Sequence, residues 1–249
     1  MDDLELIIDL HKGALRLGPG SSEETGKALK LTNLNLSEDL KIADIGCGSG
    51  AQTLELARLT RGKIIAVDLF PEFLEKVKEY AEEEGYKERI NTLQCSMDDL
   101  PFEEESLDLI WSEGAIYNMG FQKGLLAWRK FLKPGGYIAV SEITWLKEDR
   151  PPELEQFWSG TYSEMHSLEV KKDQLKNCGY ELVGNFTISE NSWLDNYYTP
   201  MLSRIPDFLK RHQEDKNAED LVKEEQHEID LFKKYKDYYG YVFYIARKI

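Results

Sequence analysis

Ala43-Asp44-Ile45-Gly46-Cys47-Gly48-Ser49-Gly50 puts three glycines within five residues, between an apolar run, Lys41–Ile45, and a helix-like segment, Thr53–Leu59. Glycines so spaced let the backbone turn tightly and approach a ligand with no Cβ in the way. The helix that follows offers free N–H groups to an anionic group such as a carboxylate or phosphate. The context, strand then glycine turn then helix, is what a nucleotide loop requires. A second signal stands 22 residues beyond Gly46, where the apolar run Ile64-Ile65-Ala66-Val67 ends in Asp68. An acid at that strand end can accept both ribose hydroxyls of an adenosine-type ligand.

Outward from the loop the chain alternates. Apolar runs at Lys41–Ile45, Lys63–Asp68, Ile90–Cys95, Leu107–Ser112 and Tyr137–Ile143 read as buried parallel strands, with helix-length segments between them. One helix opens at Pro71 and aligns Phe73, Leu74, Val77 and Ala81. Another carries Leu125, Leu126, Trp128, Arg129 and Leu132 and stops at Pro134-Gly135-Gly136. Upstream, residues 4–17 suit a short amphipathic helix. Ser21 or Ser22 suits the cap of a second, with Glu24 placed for a capping box. Downstream, residues 153–168 and 170–178 read as helical, about 205–238 as one or two helices, and Tyr180–Ser189 and Tyr239–Arg247 as strands.

On the loop and Asp68 alone two cofactor classes fit, since Gly46, Gly48 and Ala51 loosely satisfy the nicotinamide fingerprint. The rest of the chain separates them. Asp44-Ile45-Gly46-Cys47-Gly48-Ser49-Gly50, Asp68-Leu69, Cys95-Ser96-Met97-Asp98-Asp99-Leu100-Pro101-Phe102, Ser106-Leu107-Asp108-Leu109-Ile110 and Leu132-Lys133-Pro134-Gly135-Gly136 stand in order. Together they resemble the class I S-adenosylmethionine-dependent methyltransferases over roughly residues 40–145. The Leu-Pro-Phe segment and the long region after the fifth strand look like the small-molecule branch that includes the ubiquinone- and menaquinone-biosynthesis enzymes.

The resemblance implies an α/β, Rossmann-like, mostly parallel seven-stranded sheet with an antiparallel last strand and helices on both faces. N-terminal helices precede the sheet, and a helical insertion precedes the last strand. A single domain is expected over 1–249, with a cap at 1–36, a cofactor-binding core at 37–150 and a substrate-side elaboration at 151–249. The implied cofactor is S-adenosyl-L-methionine. Its implied contacts are Asp44, Gly46, Cys47, Gly48, Asp68, Leu69, Ser96, Met97, Asp98 and Ser112. Ser96 departs from the family, which often has Asp there to meet the adenine amino group. The fourth-strand exit supplies Glu113 and Tyr117 as catalytic candidates, Glu113 to orient an acceptor or take its proton and Tyr117 to pack on the methyl group. The fifth-strand exit adds Glu142, Thr144 and Trp145, and Arg16 is placed to meet the methionine carboxylate or to lie plainly on the surface. The alternative to an enzyme of this class is a non-catalytic cofactor-binding protein of the same fold, and a third reading is a nicotinamide-dependent oxidoreductase built on the same loop.

Composition bounds the partners. The 249 residues carry 31 Lys plus Arg against 46 Asp plus Glu, a net charge of −15. Residues 201–249 are balanced at 10 basic and 10 acidic, so the excess lies upstream. Such acidity opposes a nucleic-acid partner, whose affinity rests on basic contacts to phosphates. Cys47, Cys95 and Cys178 are too few and too scattered for a disulfide framework or a zinc site, and no metal is implied. No apolar run reaches a membrane span, and Met1–Leu10 lacks the features of a secretion signal, so a cytoplasmic location is expected. The expected partner is a small-molecule methyl acceptor. The charged stretch after residue 200 suits a lid or a dimer surface, leaving a homodimer open.

Overall fold

The computed structural model describes residues 3–249; Met1 and Asp2, the start of the expected N-terminal cap, lie outside the described residues. Five strands, β1 (Lys41–Ile45), β2 (Lys63–Asp68), β3 (Ile90–Gln94), β4 (Leu107–Glu113) and β5 (Leu132–Trp145), are parallel to one another. β6 (Tyr180–Thr187) and β7 (Tyr239–Lys248) complete one sheet in the order β3-β2-β1-β4-β5-β7-β6, with β7 antiparallel to both neighbours. Strand order reverses between β1 and β4. In an open α/β sheet the crevice above that switch point is where ligands bind.

Helices cover both faces because the strands are apolar on both. Leu56 of α3 (Ala51–Leu59) and Val77 of α4 (Pro71–Glu83) pack on one face. Leu125 and Trp128 of α5 (Phe121–Arg129) pack on the other, with Leu175 of α7 (Leu168–Asn177). α1 (Asp3–His11) and α2 (Ser22–Leu31) precede the sheet. α6 (Pro152–Thr161), α8 (Glu190–Trp193), α9 (Thr199–Arg211) and α10 (Lys216–Tyr235) build the C-terminal elaboration. A single π turn, Leu194–Tyr198, joins α8 to α9. No helix among the described residues is long and apolar enough to cross a membrane.

Several boundaries differ from the sequence reading. α1 stops at His11, six residues short of the expected end, because the chain turns at Gly13 with φ of +85°. α5 ends at Arg129, and Leu126 faces solvent. Leu132 already pairs with Leu107, so Pro134-Gly135-Gly136 bulges out within β5 rather than preceding it. Gly135, at φ of +74°, makes that bulge possible. The expected helix 153–168 ends at Thr161. The stretch near 205–238, expected as one or two helices, is two, broken at His212–Asp215, where Glu214 has φ of +66°.

Ser21 caps α2 by accepting the Glu24 N–H, as expected. The Glu24 carboxylate does not complete the box. It accepts from Ser189 N–H and the Ser192 hydroxyl, each at 2.5 Å, and so fastens α2 to the start of α8.

Candidate functional site

The glycine turn closes over the C-terminal ends of β1 and β2. Gly46 and Cys47 each donate an N–H to the Val67 carbonyl, and Gly48 N–H donates to Asp68 Oδ2 at 2.9 Å. Gly46 and Gly48 have φ of +71° and +53°, a region that L side chains rarely adopt. A methyl placed on Gly46 would lie 2.4 Å from Ala115 Cβ, so the loop is pressed against the β4 exit. A methyl on Gly48 would meet Leu17 Cδ1 at 2.8 Å, since the segment between α1 and α2 lies across the loop as a strap.

Asp68 stands at the rim. Its Oδ1 accepts from Phe70 N–H at 3.0 Å, and burial raises its pKa against the pull of the Phe70, Gly48 and Leu69 N–H groups. Leu69 beside it is 54% exposed. Met97 lies across the mouth, its Cε 3.5 Å from the Gly46 methyl position, and its carbonyl accepts from Trp128 Nε1. Ser96 Oγ accepts the Asp98 N–H, and exposed Asp98 pairs with Lys123 at 3.1 Å. Gly46, Gly48, Asp68, Leu69 and Met97 therefore share one mouth.

Three sequence candidates sit behind that mouth instead. Asp44 is fully buried, accepting from Thr53 Oγ1 at 2.5 Å and from Gln52 Nε2 at 3.4 Å. Burial first, then the Glu113 and Asp68 charges, push its carboxyl up to about 7, while the Thr53 and Gln52 hydrogen bonds oppose. Ser112 Oγ donates to the Ile45 carbonyl and ties β4 to β1. The Cys47 side chain is buried, and burial followed by the Asp44 and Asp68 charges pushes its thiol pKa up, which leaves it unreactive.

Glu113 is the hub of a network that sequence reasoning did not foresee. Arg16 Nη1 donates to Oε2 at 2.9 Å, while Thr25 Oγ1 and Trp111 Nε1 donate to Oε1 at 2.7 and 2.9 Å. The Arg16 and Glu113 side chains are 11% and 4% exposed, so this is a buried ion pair. Arg16 Nη2 is buried with no partner, a free donor beside the loop. Of these partners Arg16 alone had been singled out. The nearest sequence cue is Gly20, where a methyl would lie 2.6 Å from Arg16 Nη1.

Tyr117 projects from a single 3-10 turn, Ile116–Asn118, and meets the Tyr162 ring edge-on at 5.9 Å. Tyr162 OH and Lys171 Nζ both donate to Glu142 Oε1, at 2.7 and 3.0 Å, and the Glu142 and Lys171 side chains are fully buried. Burial pushes each toward its neutral form, the carboxyl up and the ammonium down, and each charge offsets the penalty on the other. Glu142 Oε2 has no partner.

A glycine turn with a strand-end acid at the switch point of a 3-2-1-4-5-7-6 sheet defines a Rossmann-like methyltransferase fold. Comparison with known proteins agrees. Residues 43–140 match the family described as "Methyltransferase domain". Erythromycin 3''-O-methyltransferase of Saccharopolyspora erythraea is 32% identical over 181 residues, 64% of this chain and 58% of that protein. Sterol 24-C-methyltransferase of Candida albicans is 28% identical over 159 residues, 60% of this chain and 42% of that one. The chain thus spans about half the length of the curated relatives it matches. A methyltransferase of Geobacter sulfurreducens, solved with S-adenosyl-L-homocysteine, is 17% identical with a TM-score of 0.85, covering 98% of each chain. That likeness extends the shared fold from the first helices to the last strand.

Proposed function

We propose that this protein is an S-adenosylmethionine-dependent methyltransferase acting on O, N or C of a small molecule. The observation that carries the reading is the loop. Gly46 and Gly48, both at positive φ, turn the chain tightly at the β1 end, where a Cβ on either would collide with Ala115 or Leu17. Asp68 is fastened to the same loop through Gly48 N–H. The match of residues 43–140 supports this, as do relatives named for sterol and macrolide methylation. The ubiquinone- and menaquinone-type branch rests on the Leu100-Pro101-Phe102 segment and the long region after β5.

The residues present fit the cofactor. Asp68 would accept the ribose hydroxyls and Leu69 would cover the sugar. Met97, with Ser96 and Asp98, would border the adenine. The turn of Gly46, Cys47 and Gly48 would back the cofactor, and the free Arg16 Nη2 suits a carboxylate. Asp44 and Ser112 act through the loop and strand they hold. Glu113 anchors the strap through Arg16 and α2 through Thr25, and its role is positioning. When bound, the cofactor supplies an activated methyl group open to in-line displacement. The protein's share is alignment and exclusion of water.

Calorimetry with S-adenosylhomocysteine and NADH tests the reading. The thioether should bind and raise Tm, and NADH should do neither. Asp68→Ala should weaken thioether binding roughly 100-fold, from the loss of two hydrogen bonds to a charged group. Equal affinity in wild type and Asp68→Ala, or a preference for NADH, would overturn it.

A further inference from the structure

A cavity of about 440 Å³ lies between the end of β5 and α6, within the size range of small-molecule sites. Trp145, Trp158, Tyr162 and Met165 form its floor. Trp145, Trp158 and Met165 are each less than a tenth exposed. The chain after α6 folds back to close the floor: Trp145 N–H donates to the His166 carbonyl at 3.0 Å, and Trp145 pairs with Ser167. Behind it the Tyr239 ring meets Trp145 and Trp158 edge-on at 6.2 and 5.1 Å. Tyr162 is fixed by its hydroxyl, which donates to Glu142, and its ring touches Tyr117, so the cavity adjoins the β4 exit. It stands at the C-terminal end of a parallel strand, the end where open α/β sheets bind ligands.

The rim is polar, with Arg150, Glu155, Gln156, Ser159 and Ser163. Arg150 lays its guanidinium on the Trp145 ring, 4.8 Å from the centroid, and its Nε donates to Glu155 Oε1 at 3.0 Å. Stacked on one side and tied at Nε, the planar fork is held ready, while Nη1 and Nη2 make no hydrogen bond among the described residues. Nor do Glu155 Oε2, the Gln156 side-chain amide or Ser163 Oγ. Ser159 Oγ donates to the Gln156 carbonyl at 3.1 Å and keeps its acceptor lone pairs. Charge on the rim is balanced, one guanidinium against one carboxylate. The carboxylates around it are committed, Glu142 to Lys171 and Glu153 to Lys234 and Tyr235.

The floor and the rim together select a ligand class. An apolar ring would suit the floor but would displace water from the rim and leave its donors and acceptors unpaired. An anion would meet Glu155, and a cation would meet Arg150. A hydroxyl both donates and accepts, so several on one ring can pair with guanidinium, carboxylate, amide and serine without adding charge. The C–H face of the same ring then covers the apolar floor. We infer that this cavity binds a neutral, polyhydroxylated ring of the glycoside type. The inference concerns binding at this cavity and stands apart from the methyltransferase reading.

The test is an NMR titration of the full chain with three probes: methyl β-D-glucopyranoside, benzyl alcohol, which is a ring with a single hydroxyl, and methyl β-D-glucuronide, which adds a carboxylate. The glucoside should bind about tenfold more tightly than either of the others, with shifts on the Trp145 and Trp158 indole signals. Arg150→Lys keeps the charge opposite Glu155 but loses the planar fork, and should weaken glucoside binding about tenfold. Ser159→Trp, at an exposed position of α6, should fill the cavity and abolish glucoside binding while Tm and S-adenosylhomocysteine affinity stay at wild-type values. Absence of glucoside binding, equal or tighter binding of benzyl alcohol or the glucuronide, unchanged affinity in Arg150→Lys, or binding that survives Ser159→Trp would each overturn the inference while leaving the methyltransferase reading intact. Failure of S-adenosylhomocysteine to bind wild type would instead remove that reading and leave the glycoside site standing.

Discussion

At the scale of single residues, Glu113 is the most consequential side chain outside the glycine loop. Its carboxylate gathers donors from the strap, α2 and its own strand, and the Arg16 contact spans 97 positions of sequence. Removing one partner of a buried ion pair strands the other in low dielectric and costs about 3–5 kcal/mol. Arg16→Ala should therefore lower unfolding free energy by about that amount in urea titrations. Arg16→Met combined with Glu113→Gln should recover most of the loss, because neither charge is then stranded. A Glu113→Gln protein of unchanged stability but without turnover would instead make Glu113 a chemical group. The identity of Glu113 as a site residue was legible from its place at a strand exit. Its anchoring role was not, because that depends on which distant donors packing brings to it.

At the scale of elements, the loop and the β4 exit are built as a matched pair. Gly46→Ala brings two penalties: a left-handed φ of +71° imposed on a residue with a Cβ, and a methyl 2.4 Å from that of Ala115. The first costs roughly 1–2 kcal/mol and the second about 1–3 kcal/mol as overpacking. Gly46→Ala should lower Tm and abolish S-adenosylhomocysteine binding in calorimetry. Adding Ala115→Gly should restore the steric part of the Tm loss but not the backbone part. A Gly46→Ala protein whose folded fraction binds the thioether at wild-type affinity would reduce the loop to a structural turn.

At the scale of the whole molecule, buried carboxyls set the pH response. Asp44 and Glu225 are pushed up to about 7 in the fold, Asp44 from an ordinary 3.8. Between about pH 4 and 7 the folded chain holds protons that the unfolded chain has released, so these groups make stability fall as pH rises through that window. His11 works oppositely: its pKa is lowered by burial, so stability is lost as pH falls below its ordinary 6.5. Asp44→Asn isolates one contribution. Its Tm should decline less than that of wild type between pH 5 and 8, measured calorimetrically, and parallel profiles would show that Asp44 does not titrate with folding.

The parallel core and the cofactor loop were readable along the chain. Apolar spacing, a glycine turn and a strand-end acid express short-range demands on backbone and burial, and they keep their meaning before any packing is known. β1 and β2 lie on the residues expected, and the antiparallel last strand is where the ordered motifs implied. Only the tertiary structure set Asp44 and Ser112 behind the mouth, tied Arg16 and Thr25 to Glu113, and paired Lys171 with Glu142. A charged or aromatic side chain has no preferred partner in one dimension. Its partner is whichever group the fold desolvates beside it.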